Sequence, residues 1–95
     1  MGEAARADLL GIIDYIADDN ANAATELLME IEQKVERLPE RPKLYRRGRV
    51  PGTRELVVRP NYIVVYAEDE RAVVLRVLHA AQMWPSEGRR SRNDD

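Results

Sequence analysis

A chain of 95 residues forms one domain, because two halves would each bury too little surface to be stable. It contains no cysteine, which excludes a disulfide framework and a thiolate metal site. No apolar run approaches the ~18 to 20 residues that cross a bilayer, and no signal-peptide pattern opens the chain. We therefore expect a cytoplasmic protein with no membrane role.

The net charge of −2 conceals a segregation of charge along the chain. Residues 1–36 carry nine acidic and two basic side chains, whereas residues 37–59 carry eight basic and two acidic ones. Residues 60–95 are nearly balanced, with five bases and six acids. Screening confines the influence of each charge to roughly 10 Å, so the basic stretch predicts a local surface for an acidic partner.

Two amphipathic helices are predicted at the start of the chain. The first covers residues 3–18 and the second covers residues 23–38, because apolar residues recur in both at helical spacing. Asn20 or Asn22 supplies the N-cap of the second helix, and Pro39 ends it. The short linker makes the pair a helical hairpin. Its apolar positions are Leu9, Ile12, Ile13, Ile16, Ala24, Leu27, Leu28, Ile31, Val35 and Leu38.

Residues 39–53, which we call the connector, follow the hairpin. Three prolines and two glycines predict an ordered loop without regular structure, held to the domain by Leu44, Tyr45 and Val50. The connector is the most basic segment of the chain. Such a run is often only a solvated face, but its compactness leaves a binding role open. Its bases are Arg41, Lys43, Arg46, Arg47 and Arg49.

Three antiparallel strands are predicted over residues 55–59, 62–67 and 72–79, because these runs are rich in β-branched and aromatic residues and are separated by turn signals. The fold class is therefore α+β, an N-terminal helical hairpin packed on a three-stranded antiparallel meander. The central strand is apolar on both faces, so we expect helices on one face and a loop or partner on the other. Alternation places Tyr62, Val64 and Tyr66 opposite Ile63 and Val65, and Val73, Leu75, Val77 and His79 opposite Val74, Arg76 and Leu78.

His79 is the one histidine of the chain and ends the third predicted strand. It is a candidate acid or base for phosphodiester cleavage, or a partly buried histidine bonded to a carbonyl. The absence of an obvious second proton-transfer group favours the structural interpretation. Tyr62 and Tyr66 could stack on bases, but core or rim positions are more usual for such tyrosines. No metal or cofactor is expected, since the acids lie outward on helices without histidines.

Three segments together resemble the RelE/ParE family of small bacterial toxins, and within it the ParE branch. They are ADLLGIIDYIADDN in the hairpin, RLPERPKLYRRGRVPGTREL through the connector, and VVRPNYIVVYAEDERAVVLRVLHAAQMWP through the meander. The resemblance implies one toxin domain over residues 1–85. The polar residues 86–95 have nothing to bury and are expected to be a disordered tail.

The ParE branch implies a growth-arresting inhibitor of DNA gyrase, without catalysis, that a cognate ParD-like antitoxin neutralises. The RelE branch implies a ribosome-dependent mRNA endonuclease, which here would use His79, Arg59 and Arg76. Ribonuclease members carry an arginine where this chain has Ile63, and the residues after His79 are two alanines that cannot move protons. These departures favour gyrase inhibition. The nuclease stays the alternative, and an inactive antitoxin-binding module is a third hypothesis.

The expected partner-binding surface combines the basic segment with the end of the last strand. Homodimers or higher assemblies with the antitoxin are left open. Family members begin with a short strand before the first helix, and its lack here predicts an exposed sheet edge prone to self-association. The surface residues are Arg46, Arg47, Arg49, Arg54, Arg59, His79, Met83 and Trp84.

Overall fold

Two helices precede an antiparallel sheet in the computed structural model, which describes residues 1–80. The predicted α+β class is confirmed, but the sheet has four strands rather than three, in the order β1-β2-β3-β4. The predicted tail, Met83 and Trp84 lie outside the described residues. The elements are α1 (Glu3–Ala17), α2 (Ala21–Arg37), a 3₁₀ turn (Leu38–Glu40), β1 (Arg46–Arg47), β2 (Thr53–Arg59), β3 (Tyr62–Ala67) and β4 (Val74–His79).

The turn between the helices is set by Asn20. Its backbone N–H donates to the carbonyl of Ile16, which closes α1, and its side-chain oxygen accepts a hydrogen bond of 3.0 Å from the N–H of Ala23. Asn20 is therefore the N-cap of α2, one of the two predicted candidates. Because the cap is Asn20 rather than Asn22, α2 begins at Ala21, two residues earlier than predicted.

The connector contains a strand that the sequence did not predict. β1 pairs with β2 in the register Arg46 to Glu55 and Arg47 to Arg54. The N–H of Gly48 donates to the carbonyl of Thr53 at 2.8 Å and closes the hairpin. Two consecutive arginines give no apolar alternation that would indicate a strand. The strand forms through its pairing with β2 rather than through intrinsic strand propensity.

The register of β4 corrects a second expectation. Val65 pairs with Arg76 but Tyr66 pairs with Val74, so β4 carries one extra residue, a β-bulge, at this point. Val74 and Val77 consequently pack into the same core, although simple alternation places them on opposite faces. The strand begins at Val74, two residues later than predicted.

The main core lies between the helical hairpin and one face of the sheet. Tyr66 and Val64 at the centre of β3 are fully buried there, against Leu27 and Ile31 of α2. Each fully buried Leu, Ile or Val contributes roughly 1.5 to 3 kcal/mol, which holds helices that would be unstable alone. The opposite face carries a second buried cluster, so β3 is apolar on both sides as predicted. That cluster is Ile63, Val65 and Leu78.

The outer edge of β4 is covered at two positions within residues 1–80. The N–H of Gly2 donates to the carbonyl of Val74 at 2.9 Å, and the carboxylate of Asp8 accepts the N–H of Val77 at 2.9 Å. No strand precedes α1 in this part of the chain. Self-association through the edge stays a prediction. None of the helices described is long and apolar enough to cross a membrane.

Candidate macromolecule-binding surface

A buried carboxylate holds two arginines of the connector. Glu55 on β2 is only 3% exposed, and its two oxygens lie 3.0 Å from Nη2 of Arg46 and 3.6 Å from Nε of Arg49. The backbone N–H of Arg49 also donates to Glu55 at 3.3 Å. Both arginine side chains remain about half exposed, so each can meet a partner while Glu55 fixes its direction.

The side chain of Arg54 bonds to the backbone of the connector and does not project into solvent. Its side chain is 14% exposed, and its Nε donates to Glu68 at 2.6 Å. Its Nη1 donates to the carbonyl of Tyr45 at 2.9 Å and to that of Lys43 at 3.3 Å. Arg54 was predicted to lie on the binding surface, but its Nε and Nη1 donors are engaged within the domain.

A third attachment comes from the main core. The hydroxyl of Tyr66 donates to the carbonyl of Pro42 at 2.9 Å, and burial raises the pKa of this tyrosine. Its ring is fully buried and does not stack on a base. With Arg54 and Glu55, this bond orders the connector on the domain. Of the three predicted apolar anchors, Tyr45 and Val50 are partly buried, but Leu44 is 57% exposed and does not anchor the connector.

The Arg54 to Glu68 pair predicts a loss of stability in acid. The hydrogen bond from Arg54 lowers the pKa of Glu68 from its ordinary value of 4.5. The unfolded chain therefore binds more protons than the folded one just below pH 4.5, so the stabilisation is complete above that pH and is lost as pH falls through the folded pKa. We expect urea unfolding at pH 7 and pH 3 to show a larger loss for the wild type than for Glu68→Gln. Parallel losses would contradict this assignment.

The nuclease candidates Arg59 and Arg76 are both paired with carboxylates on the helices. Nη2 of Arg59 lies 2.9 Å from Glu30 of α2. Arg76 contacts Asp8 of α1 through two bonds, of 2.6 and 2.9 Å, and the hydrogen bond to Asp8 raises the pKa of Arg76. Such paired geometry is the strong form of a charge-assisted hydrogen bond.

His79 lies exposed at the end of β4, with its ring edge-on to that of Tyr62. The two ring centroids are 5.5 Å apart and the planes are inclined at 88°. Tyr62 is also the register partner of Arg59. A groove of about 490 Å³ opens beside this end of the sheet and is lined by α1, Tyr62 and His79.

The predicted site residues fall at two ends of the sheet. Arg46, Arg47 and Arg49 lie in the connector, with Arg54 beneath them. Arg59 and His79 flank Tyr62 at the opposite end of β2 and β3. Arg59 lies four positions after Glu55, which corresponds to about 13 Å along a strand. The binding surface predicted from sequence is thus two surfaces.

A further concavity was not predicted from the sequence. It lies between the end of α2 and the connector, has a volume of about 240 Å³, and is lined by Lys34, Arg37 and Arg41. The available signal was the pair of bases in the last turn of α2. No group of three or more potential metal ligands occurs in residues 1–80.

Comparison with known proteins identifies the family to which this chain is similar. The family model described as the ParE toxin of the type II toxin–antitoxin system parDE matches residues 2–84. The chain is 39% identical over 72 residues to the candidate toxin Y4kP of Sinorhizobium fredii, covering 75% of each chain. It is 35% identical over 82 residues to Toxin RelE2 of Caulobacter vibrioides, covering 83% of this chain and 90% of the relative.

The fold is a helical hairpin on an antiparallel sheet with an anchored cationic connector. Together with these matches, it identifies the protein as a toxin of a type II toxin–antitoxin system. Within that class, the chain belongs to the ParE toxin family. The resemblance drawn from sequence is confirmed, and membership implies a cognate antitoxin as partner.

Proposed function

We propose that this toxin arrests growth by binding and inhibiting DNA gyrase, without catalysis of its own, and that its antitoxin is ParD-like. The observation that carries the proposal is the state of the two arginines that RNA cleavage would need. Arg59 is paired with Glu30, and Arg76 is held by Asp8. Arg76, whose side chain is 27% exposed, would have to break its two bonds to Asp8 to stabilise a pentacovalent phosphate, whereas Arg59 is 40% exposed and loses less access through its pair with Glu30.

The surroundings of His79 support the same conclusion. Ile63, at the position where ribonuclease relatives carry arginine, is buried in the second cluster of the sheet. Ala80 follows His79 directly and its N–H donates to the carbonyl of Asn61. The carboxylate of Asp8 lines the groove beside His79. It already accepts hydrogen bonds from Arg76 and from the N–H of Val77. Within residues 1–80, the lining of the groove therefore offers no uncommitted carboxylate as the second member of a general acid–base pair around a scissile phosphate.

The connector is the proposed contact with gyrase. Arg46 and Arg49 are directed by Glu55, and Arg47 lies exposed between them. The opposite charge of residues 1–36 gives the protein a basic and an acidic region, which orients it toward an acidic target surface. We propose that the toxin domain covers residues 1–85 and acts in the cytoplasm.

RNA cleavage is retained as a second candidate because the rings of His79 and Tyr62 are in contact. The contact between His79 and Tyr62 lies beside the 490 Å³ groove, and a relative of this chain is named Toxin RelE2. A histidine next to a tyrosine is a workable, if incomplete, proton-transfer pair.

Induction of the toxin without its antitoxin separates these functions. We expect growth arrest with relaxation of a reporter plasmid, and we expect His79→Ala to keep both effects within about twofold. Arg6→Ala, an exposed change on α1, serves as the control. Codon-phased mRNA cleavage that disappears in His79→Ala would establish the nuclease instead. Normal growth at equal protein level would indicate an inactive antitoxin-binding module.

A further inference from the structure

The cleft at the end of α2 is lined by both cationic and apolar side chains. The cations are Lys34, Arg37 and Arg41, and the apolar lining includes Leu44 and Tyr45. Glu40 is the one acid among its lining residues, so the lining carries a formal charge of +2. Arg46, Arg47 and Arg49 do not line this cleft, and the gyrase proposal does not use it.

The cations of the cleft are available to a ligand. Within residues 1–80, Arg37 and Arg41 form no salt bridge, and Lys34 has only a 3.8 Å contact with Glu30 one helical turn away. An exposed pair of that kind is weak. Bases in the last turn of a helix do complement its dipole, which explains Lys34 and Arg37. It does not explain Arg41, which lies beyond the helix.

The apolar part of the cleft is equally unusual. Leu44 is 57% exposed although it lies in a connector whose neighbouring backbone is bonded to the domain. The carbonyls of Lys43 and Tyr45 are held by Arg54, and that of Pro42 by Tyr66. The wall that carries Leu44 is therefore already ordered, which lowers the entropic cost of binding a ligand there.

We propose that this cleft binds an acidic peptide segment that inserts one apolar side chain between α2 and the connector. Carboxylates of the segment would pair with Arg37 and Arg41, while the inserted side chain would pack on Leu44 and Tyr45. A volume of about 240 Å³ suits one large side chain, because clefts for drug-sized ligands span about 300 to 1,000 Å³. The acidic residues of α1 repel the same segment elsewhere, so attraction is concentrated at this end of the molecule.

A synthetic peptide tests this inference on the full-length protein. The probe is an acetylated, fluorescein-labelled 12-residue peptide with two acidic residues on each side of a central leucine, measured by fluorescence anisotropy. We expect saturable binding that weakens about tenfold in the double variant Arg37→Glu/Arg41→Glu. The matched control is Ala4→Glu/Arg6→Glu/Ala7→Glu, which makes the same change of net charge at exposed residues of α1, away from the cleft, and is expected to stay within about twofold.

The apolar contact is tested separately. We expect Leu44→Ser to weaken binding about fivefold, and a peptide with serine in place of its leucine to lose a similar factor. Unchanged far-UV circular dichroism and thermal midpoints identify variants that remain folded. Equal losses in both charge variants would overturn the proposal, as would equal binding of the serine peptide or no binding up to about 1 mM. A single-stranded 12-mer DNA that binds through Arg37 and Arg41 while the peptide fails to compete would also overturn it.

Discussion

Replacement of Arg54 by alanine is expected to weaken gyrase inhibition by more than about tenfold while leaving the domain folded. Arg54 makes no direct contact with the target in this account. Its loss frees the carbonyls of Lys43 and Tyr45 and removes the bond to Glu68, so the connector must be ordered anew in each complex. The cost to stability is about 2 kcal/mol, because hydrogen bonds to a charged group are broken at a partly buried site. The measurement is inhibition of supercoiling by a titration of purified variant.

Two further variants make this result specific. Arg59→Ala removes the same charge from the same strand and breaks a pair of similar length with Glu30, but it does not touch the connector. We expect it to retain inhibition. Arg54→Lys can still pair with Glu68, yet an ammonium lacks the planar fork that reaches both carbonyls, so an intermediate loss is expected. Hydrogen exchange should show faster exchange in residues 43–47 of the alanine variant. Equal inhibition by wild type and Arg54→Ala would show that connector order is irrelevant to the target.

Replacement of Asp8 by alanine is expected to destabilise the fold by about 3 kcal/mol and to lower the thermal midpoint by roughly 10 to 20 °C. Asp8 joins α1 to the edge of the sheet through two bonds to Arg76 and one from the N–H of Val77. Its removal takes two hydrogen bonds from the guanidinium of Arg76 and one from the N–H of Val77. The value lies at the low end for buried pairs because both side chains keep some exposure.

The comparison for this prediction comes from the same helix. Asp14 lies on the exposed face of α1, and Asp14→Ala should change stability by no more than about 0.5 kcal/mol. Asp8→Asn retains an acceptor without the charge and should lie between the two. Since the change also opens the edge of β4, light scattering should show stronger self-association. A loss below about 1 kcal/mol for Asp8→Ala would mean that the pair contributes little to the fold.

The elements that sequence predicted well are those whose stability is local. Helical spacing located both helices, Asn20 was one of the two predicted caps, and the bounds of β3 agree with the structure. The strand β1 could not be predicted, because its two arginines become extended only through Glu55 and Arg54 on the neighbouring strand. The bulge in β4 was hidden for a similar reason, since alternation assumes an unbroken register.

The concentration of charge located the site in the sequence, but it did not show which side chains point outward. The concentration of bases identified the connector, and alternation within β2 already places Arg54 on the same face as Leu56, a signal that it points inward. Arg59 is different. The register of β2 shifts between Val57 and Arg59, so Arg59 comes opposite Tyr62 and reaches Glu30 on α2. No pattern in the sequence encodes that shift.

The most direct test of the account is supercoiling of relaxed plasmid by purified gyrase, titrated with the purified toxin in the absence of ribosomes and mRNA. We predict a progressive loss of supercoiling that the antitoxin reverses and that His79→Ala preserves. Undisturbed supercoiling at a large excess of folded toxin, together with codon-phased cleavage of mRNA in a translation extract, would contradict it.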